Sequence, residues 1–256
     1  MQKATSAAIA VLTVIAGGTA LAPAALAADE TGGKSLHATL SPVPTNKVTG
    51  SGTATVHLKG HQATITIKTQ GLLADAPHAQ HFHIGAKGQC PPASAAMKHN
   101  GLLSMNTTDG LPFYGKIGAS LTTTGDTGAS HSALAVDRFP KGSSYTYHRT
   151  ITVDEETAKS LRSDNAVVVV HGIDYNGNGN GKYDNVLGAS DLDATLPSEA
   201  TNPALCGPLK TTPAGAVAGG MGGTQDGDTV ALTAATGLLA AAAGTMYLRR
   251  HGSRQN

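Results

Sequence analysis

The feature that most constrains the fold is an alternation of apolar and polar residues that runs from about Leu36 to Pro208. A period of two places successive side chains on opposite faces of an extended strand, so each such segment is expected to be half buried. Short strands that recur about every 8–12 residues, joined by Gly-rich turns, favour an antiparallel sandwich or barrel. The predicted strands are 53–60, 62–70, 78–85, 116–125, 130–138, 143–153 and 166–174.

The last of these segments, AVVVVHGID at 166–174, is apolar almost without interruption. A strand that is buried on both faces has this composition, so we expect it to lie in the centre of the sheet. Just before it, the segment from Asp154 to Arg162 has acidic residues first and a basic residue last. The helix dipole favours that order, so one short helix is predicted there.

Both ends of the chain differ from this domain. Lys3, the short apolar stretch after it and the Ala25-Leu26-Ala27 sequence are typical of a secretory signal, with a retained N-terminal anchor as the alternative. Near the other end, an uncharged apolar segment of about 20 residues is long enough to span a bilayer, and arginines follow it; a soluble Ala-rich helix is the alternative. The predicted organisation is a signal peptide at 1–27, a β-domain at 36–208, a Gly/Pro/Thr-rich tether at 209–228, a transmembrane helix at 229–248 and a cytoplasmic basic tail at 249–256.

These ends predict an exported protein that is held at the cell surface by a C-terminal helix in the plasma membrane. The formal net charge of +1 favours neither nucleic acid nor an acidic ligand as a partner. In an exported protein, the isolated pair Cys90 and Cys206 is most simply a disulfide; two free thiols or a thiolate metal site are the alternatives.

Three histidines stand out by their position. His81 and His83 flank Phe82 in a predicted strand, so the two imidazoles share one face and Phe82 points to the other. Two imidazoles held in this way can occupy adjacent coordination positions of a metal ion. His171 ends the apolar run, where a polar side chain needs a partner or a ligand. Solvated strand histidines and a hydrogen-bonded core histidine are the alternatives.

The order HAQHFHIG, then a cysteine, then VVVVHGID and ALCGPL resembles the copper/zinc superoxide dismutase family. The resemblance implies a Greek-key β-sandwich or flattened barrel with His81, His83 and His171 as copper ligands, and it implies a Cys90–Cys206 disulfide. The implied reaction converts superoxide to oxygen and hydrogen peroxide. The segment LSPVPTNKVTGSGTATVHL, running into HAQHFHIG, is equally similar to the chordin-type (CHRD) domain, which implies a non-catalytic surface module for binding or structure.

The chain also departs from the dismutase pattern. The family has a further histidine just after the first cysteine that bridges copper and zinc; His99 is the only candidate for this fourth copper ligand, and it comes later than the family spacing. Lys116 stands where the zinc loop has an aspartate, so a copper-only protein without a zinc site is expected. Pro203 occupies the position of the arginine that guides superoxide, so metal binding without efficient turnover is an alternative to dismutase activity.

A second possible ion site follows His171. Asp174, Asn176, Asn178, Asn180 and Asp184 place oxygen-bearing side chains at mostly alternate positions, with glycines between them. This pattern resembles the first half of a calcium loop, although the carboxylate expected at the twelfth position is absent. The alternative is a surface turn, since Gly and Asn both tolerate positive φ. Calcium bound here would stiffen the loop.

Overall fold

A computed structural model of the chain describes residues 33–212. Strands dominate this region. They are β1 (Lys34–Pro42), β2 (Ser51–Lys59), β3 (Gln62–Gln70), β4 (Gln80–Ile84), β5 (Met97–His99), β6 (Leu102–Ser104), β7 (Lys116–Ser120), β8 (Tyr145–Thr152), β9 (Val167–His171), β10 (Pro203–Pro208) and β11 (Lys210–Thr211). The helices are α1 (Thr107–Tyr114), α2 (Ala129–Ser132), α3 (Glu155–Arg162) and α4 (Ser198–Thr201), with 3-10 turns at Ala93–Ala95 and Val136–Arg138.

The strands form a curled antiparallel half-barrel in the order β7-β4-β9-β10-β1-β2-β3-β8, with β11 added beside β1. The β5–β6 hairpin is separate from this sheet. Side chains of β8 reach toward the other end of the sheet. The Arg149 guanidinium donates to the carbonyl oxygen of Thr122 at 2.7 Å, and the Tyr145 hydroxyl donates to Gln80 Oε1 at 3.2 Å. The prediction of an antiparallel, mainly β domain is confirmed.

The hydrophobic core follows the alternation seen in the sequence. Every second residue of β2, namely Ala54, Val56 and Leu58, is buried, and these residues face Ile67, Ile65 and Ala63 of β3. The intervening residues are half-buried or exposed. Burying one large aliphatic side chain stabilises the fold by about 1.5–3 kcal/mol. This face is therefore the main stabilising surface of the sheet. β9, buried along its whole length, lies between β4 and β10, as predicted for a central strand.

Two of the predicted elements differ from the structure. The strand predicted at 130–138 is wrong: this segment forms α2 and a 3-10 turn. Its polar side chains bind the preceding loop instead of a ladder, since Ser132 Oγ donates to Asp126 and Arg138 Nη1 donates to the carbonyl oxygen of Asp126. Such local hydrogen bonds compete with strand pairing. The strand predicted at 116–125 is shorter in the structure, where β7 ends at Ser120 and Thr122 Oγ1 donates to the carbonyl oxygen of Asp126.

The helix predicted after the β8 segment is confirmed as α3. Asp154 is its N-cap, and its side chain accepts from the Thr157 amide at 2.7 Å. Between residues 33 and 212, no helix is long and apolar enough to cross a membrane. The predicted signal peptide (1–27), transmembrane helix (229–248) and basic tail (249–256) lie outside the described residues, as does the tether (209–228) beyond residue 212.

Candidate metal centre

The registers of β4 and β9 explain how the histidines share a face. Phe82 lies opposite Val168, and both belong to the main core. On the other face of the same strands, His81 lies opposite Val169 and His83 opposite Val167. The alternation of β9 that turns Val167 and Val169 to that face also turns His171 there. The sequence prediction that the HxH imidazoles share one side of the strand, with Phe82 on the other, is confirmed.

The three imidazoles converge on one point. The ring centroids of His81 and His171 are 5.1 Å apart, and His83 lies 5.8 Å from each of the others. One nitrogen from each ring can be chosen so that all three lie within 4.8 Å of one another. All three residues are buried. Two nitrogens at about 2.0–2.1 Å from one ion lie at most about 4.2 Å apart, so nitrogens near the 4.8 Å limit would move slightly together on binding it.

In each ring, one nitrogen faces a backbone carbonyl oxygen. His81 Nε2 lies 3.0 Å from the oxygen of Ala133, His83 Nδ1 lies 2.7 Å from that of Gly115, and His171 Nδ1 lies 2.6 Å from that of Thr201. A carbonyl oxygen only accepts, so the facing nitrogen carries the proton. The other nitrogen of each neutral ring is therefore left with a free lone pair.

Those remaining nitrogens are the ones that need a partner. His81 Nδ1, His83 Nε2 and His171 Nε2 are buried and have no hydrogen-bond partner among the described residues. Leaving a buried polar atom unsatisfied costs about 1–3 kcal/mol. Three such atoms in one cluster, each with its lone pair free, form a donor set that fits a transition metal ion.

Burial also holds the imidazoles neutral. Desolvation lowers the pKa of His83 from 6.5 to about 3 and that of His171 to about 4. The pKa of His81 lies well below its usual value, again chiefly through burial, with repulsion from the other two rings as a second cause. At neutral pH none of the three carries a proton that a metal ion would have to displace.

Gly115 shows how the chain places one of the orienting carbonyls. It follows α1, whose N-terminus is closed by a capping box between Asn106 and Asp109. Gly115 has a φ of +89°, and a Cβ there would collide with the backbone of Ile84. Only glycine allows this close approach to β4, which brings the Gly115 oxygen to His83.

Aromatic side chains enclose the cluster. The Tyr114 ring centroid lies 4.5 Å from that of His83, and the Phe139 centroid lies 5.5 Å from that of His81. A cavity of about 240 Å³ opens beside them, with His81 and His171 in its wall.

His99, the predicted fourth ligand, does not join the cluster. Its Nε2 lies 2.7 Å from Asp109 Oδ2, with which it forms an ion pair when protonated. Pro203 is buried and lies opposite His171 in the β9–β10 pair. The position that the dismutase resemblance assigns to an arginine is therefore next to the cluster and holds no charge.

The predicted disulfide between Cys90 and Cys206 is confirmed, with a Cα–Cα distance of 5.8 Å. Cys206 of β10 lies opposite Val169 of β9. Both residues belong to a small core cluster on the histidine face of β9. The disulfide thus fixes the loop that carries Cys90 beside the strand that ends in His171.

The predicted calcium loop closes on itself. The side-chain amides of Asn176, Asn178 and Asn180 all donate to the Asp184 carboxylate, at 2.9, 2.6 and 3.2 Å. Asp174 accepts from backbone amides of the same loop, including that of Gly179 at 2.8 Å. The five predicted residues are therefore brought together, and calcium at this place stays a prediction.

Several residues that shape the centre had no recognisable signal in the sequence. Gly115, Ala133 and Thr201 act through their carbonyl oxygens, which any residue possesses. His78 is buried behind the cluster, and its Nδ1 lies 3.0 Å from the carbonyl oxygen of His171. Its position before the HxH pair was the one available hint.

No protein-family model matches the chain, and no curated protein is similar enough to match it.

Proposed function

We propose that the protein binds one copper ion through His81, His83 and His171 and acts as an exported superoxide dismutase-like protein. The observation that carries this proposal is the set of three buried imidazole nitrogens without a partner within residues 33–212. A surface module without a metal would leave that cost unexplained. The curled antiparallel sheet is compatible with the Greek-key sandwich that the sequence resemblance implies.

Neutral imidazoles suit copper, zinc, iron and nickel, and copper is the tightest binder among the divalent first-row ions. The described residues could supply three nitrogen ligands, which would leave one position of a four-coordinate ion for a reactant. When bound, a copper ion supplies one-electron oxidation and reduction, by which two superoxide ions and two protons become oxygen and hydrogen peroxide. The protein's own part is to hold three lone pairs toward one point and to keep them unprotonated.

The carbonyl oxygens of Ala133, Gly115 and Thr201 fix the orientation of the rings. Such contacts to metal-binding histidines typically affect metal affinity by 10–100-fold. Because each carbonyl belongs to a different loop or helix end, the centre forms only when the segments around the sheet have folded.

The test is copper titration of the full-length chain, followed by a superoxide consumption assay. We expect one copper per chain, and we expect His83→Gln to lower the affinity at least tenfold and to remove consumption. His148→Gln is the matched control, because His148 is exposed on β8. Within the described residues, the one hydrogen bond of its ring is to the Thr66 hydroxyl. Failure of the wild-type chain to bind copper would refute the proposal. Copper binding without superoxide consumption would restrict it to a binding function.

A further inference from the structure

The cavity beside the histidines is built for an apolar molecule. It is lined by aliphatic and aromatic side chains such as Leu134, Phe139 and Leu196, together with prolines and alanines. None of the residues described in its wall is a lysine, arginine, aspartate or glutamate. A wall of this kind attracts ligands by removing their apolar surface from water and offers no counter-charge to an ion.

The hydroxyl groups in the wall already have partners. Thr107 Oγ1 donates to the carbonyl oxygen of Thr201 at 2.7 Å, and the Tyr183 hydroxyl donates to that of Pro77 at 2.6 Å. Thr201 Oγ1 lies 2.6 Å from Ser190 Oγ. Among the described wall residues, the polar side-chain atoms without a partner are His81 Nδ1 and His171 Nε2, at the inner end of the cavity, and in the metal-free chain they can accept a hydrogen bond from a ligand.

The entrance is apolar as well. Val136 and Leu192 line the cavity, and their side chains are 43% and 42% exposed. A mouth lined by aliphatic side chains agrees with the predominantly apolar lining of small-molecule sites. The volume of about 240 Å³ is larger than the cavities of about 150 Å³ that are known to bind benzene.

We propose that this cavity binds a small, uncharged organic molecule, with one aromatic ring or a branched aliphatic chain and one polar group, beside the three histidines. This goes beyond the proposed function, because it assigns the site a second ligand of a chemistry opposite to that of the superoxide anion. It rests on the proposed function only for the metal ion next to the ligand. The metal-free chain binds the same class of molecule.

The test uses p-cresol as the probe, with benzoate and protonated benzylamine as ions of similar size. Calorimetric titration of the full-length, metal-free chain is expected to show p-cresol binding at least tenfold more tightly than either ion. In the copper-loaded chain, p-cresol is expected to change the electron paramagnetic resonance spectrum of the cupric ion. Equal binding of the three probes, or no binding of p-cresol, would overturn the inference.

Two variants place the ligand. Val136→Lys puts a charge at the entrance and should weaken p-cresol binding at least fivefold. Leu103→Lys, at a leucine of the β5–β6 hairpin that is 50% exposed, should leave p-cresol binding unchanged. An unchanged affinity in Val136→Lys would show that p-cresol binds elsewhere. Copper binding is measured separately, so its failure refutes the proposed function, whereas failure of p-cresol binding refutes only this inference.

Discussion

The carbonyl oxygen of Gly115 lies 2.7 Å from Nδ1 of His83, and the glycine reaches this position with a φ of +89°. The contact fixes which nitrogen of His83 carries its proton and which one faces the other two histidines. A residue without a side chain therefore determines the orientation of one proposed ligand.

Gly115→Ala is expected to damage both stability and metal binding. The new Cβ would collide with the Ile84 backbone, so β4 or the end of α1 must move, at a cost of about 1–3 kcal/mol. We expect copper affinity to fall about tenfold, as for other losses of an orienting contact. Urea unfolding and copper titration measure the two effects.

Gly60→Ala is the matched control. Gly60 also has a positive φ, of +60°, but a Cβ there would meet no atom within 4 Å. Its substitution should cost about 1 kcal/mol from backbone strain alone and leave copper affinity unchanged. Equal losses of copper affinity in the two variants would contradict the role given to Gly115.

The metal-free chain should lose stability as the pH falls below about 6.5. Burial lowers the pKa of His83 to about 3 and that of His171 to about 4, whereas both titrate near 6.5 in the unfolded chain. Between pH 6.5 and the lower pKa of each native histidine, the unfolded state binds more protons than the native state. The free energy of unfolding therefore decreases as the pH falls. The slope is about 1.4 kcal/mol per pH unit for each group.

Urea unfolding at several pH values between 7 and 5 measures this slope in the metal-free chain. His171→Gln should reduce the slope by one group, while His148→Gln, which changes an exposed ring, should not alter it. A slope that is the same in all three chains would show that the buried histidines do not titrate as inferred.

The sequence was most informative where residue types alternate along a strand or where two histidines stand two residues apart. The alternation of β2 and β3 predicted their burial, and the residues His81, Phe82 and His83 predicted which side chains share a face. The sequence could not predict the backbone carbonyl oxygens that orient the histidines, because they come from distant parts of the chain. The carbonyl oxygen of Thr201 meets His171 across 30 residues of chain, and no side-chain type marks such an acceptor. The strand wrongly predicted at 130–138 failed for a related reason, because the Ser132 and Arg138 side chains bind the loop around Asp126.

Reduction of the disulfide should destabilise the domain strongly. Cys90 and Cys206 are 116 residues apart, and the chain-entropy model assigns about 4–5 kcal/mol to a loop of that length. The double variant Cys90→Ala, Cys206→Ala is expected to lose about that much free energy of unfolding. Adding dithiothreitol should lower the stability of the wild-type chain and have no effect on the double variant. A wild-type chain that is indifferent to dithiothreitol would contradict the prediction.

Superoxide consumption by the copper-loaded chain should depend only weakly on salt. Electrostatic steering of an anion needs cationic side chains near the entrance. The described wall of the cavity contains no lysine or arginine. The residue opposite His171 is the uncharged Pro203. We therefore expect the rate to change less than about twofold between about 10 and 300 mM salt. Val136→Lys, which adds a charge at the 43% exposed rim position, should raise the rate at low salt, and that gain should disappear as salt is added. A steep salt dependence in the wild-type chain would mean that cations outside the described wall guide the anion to the histidines.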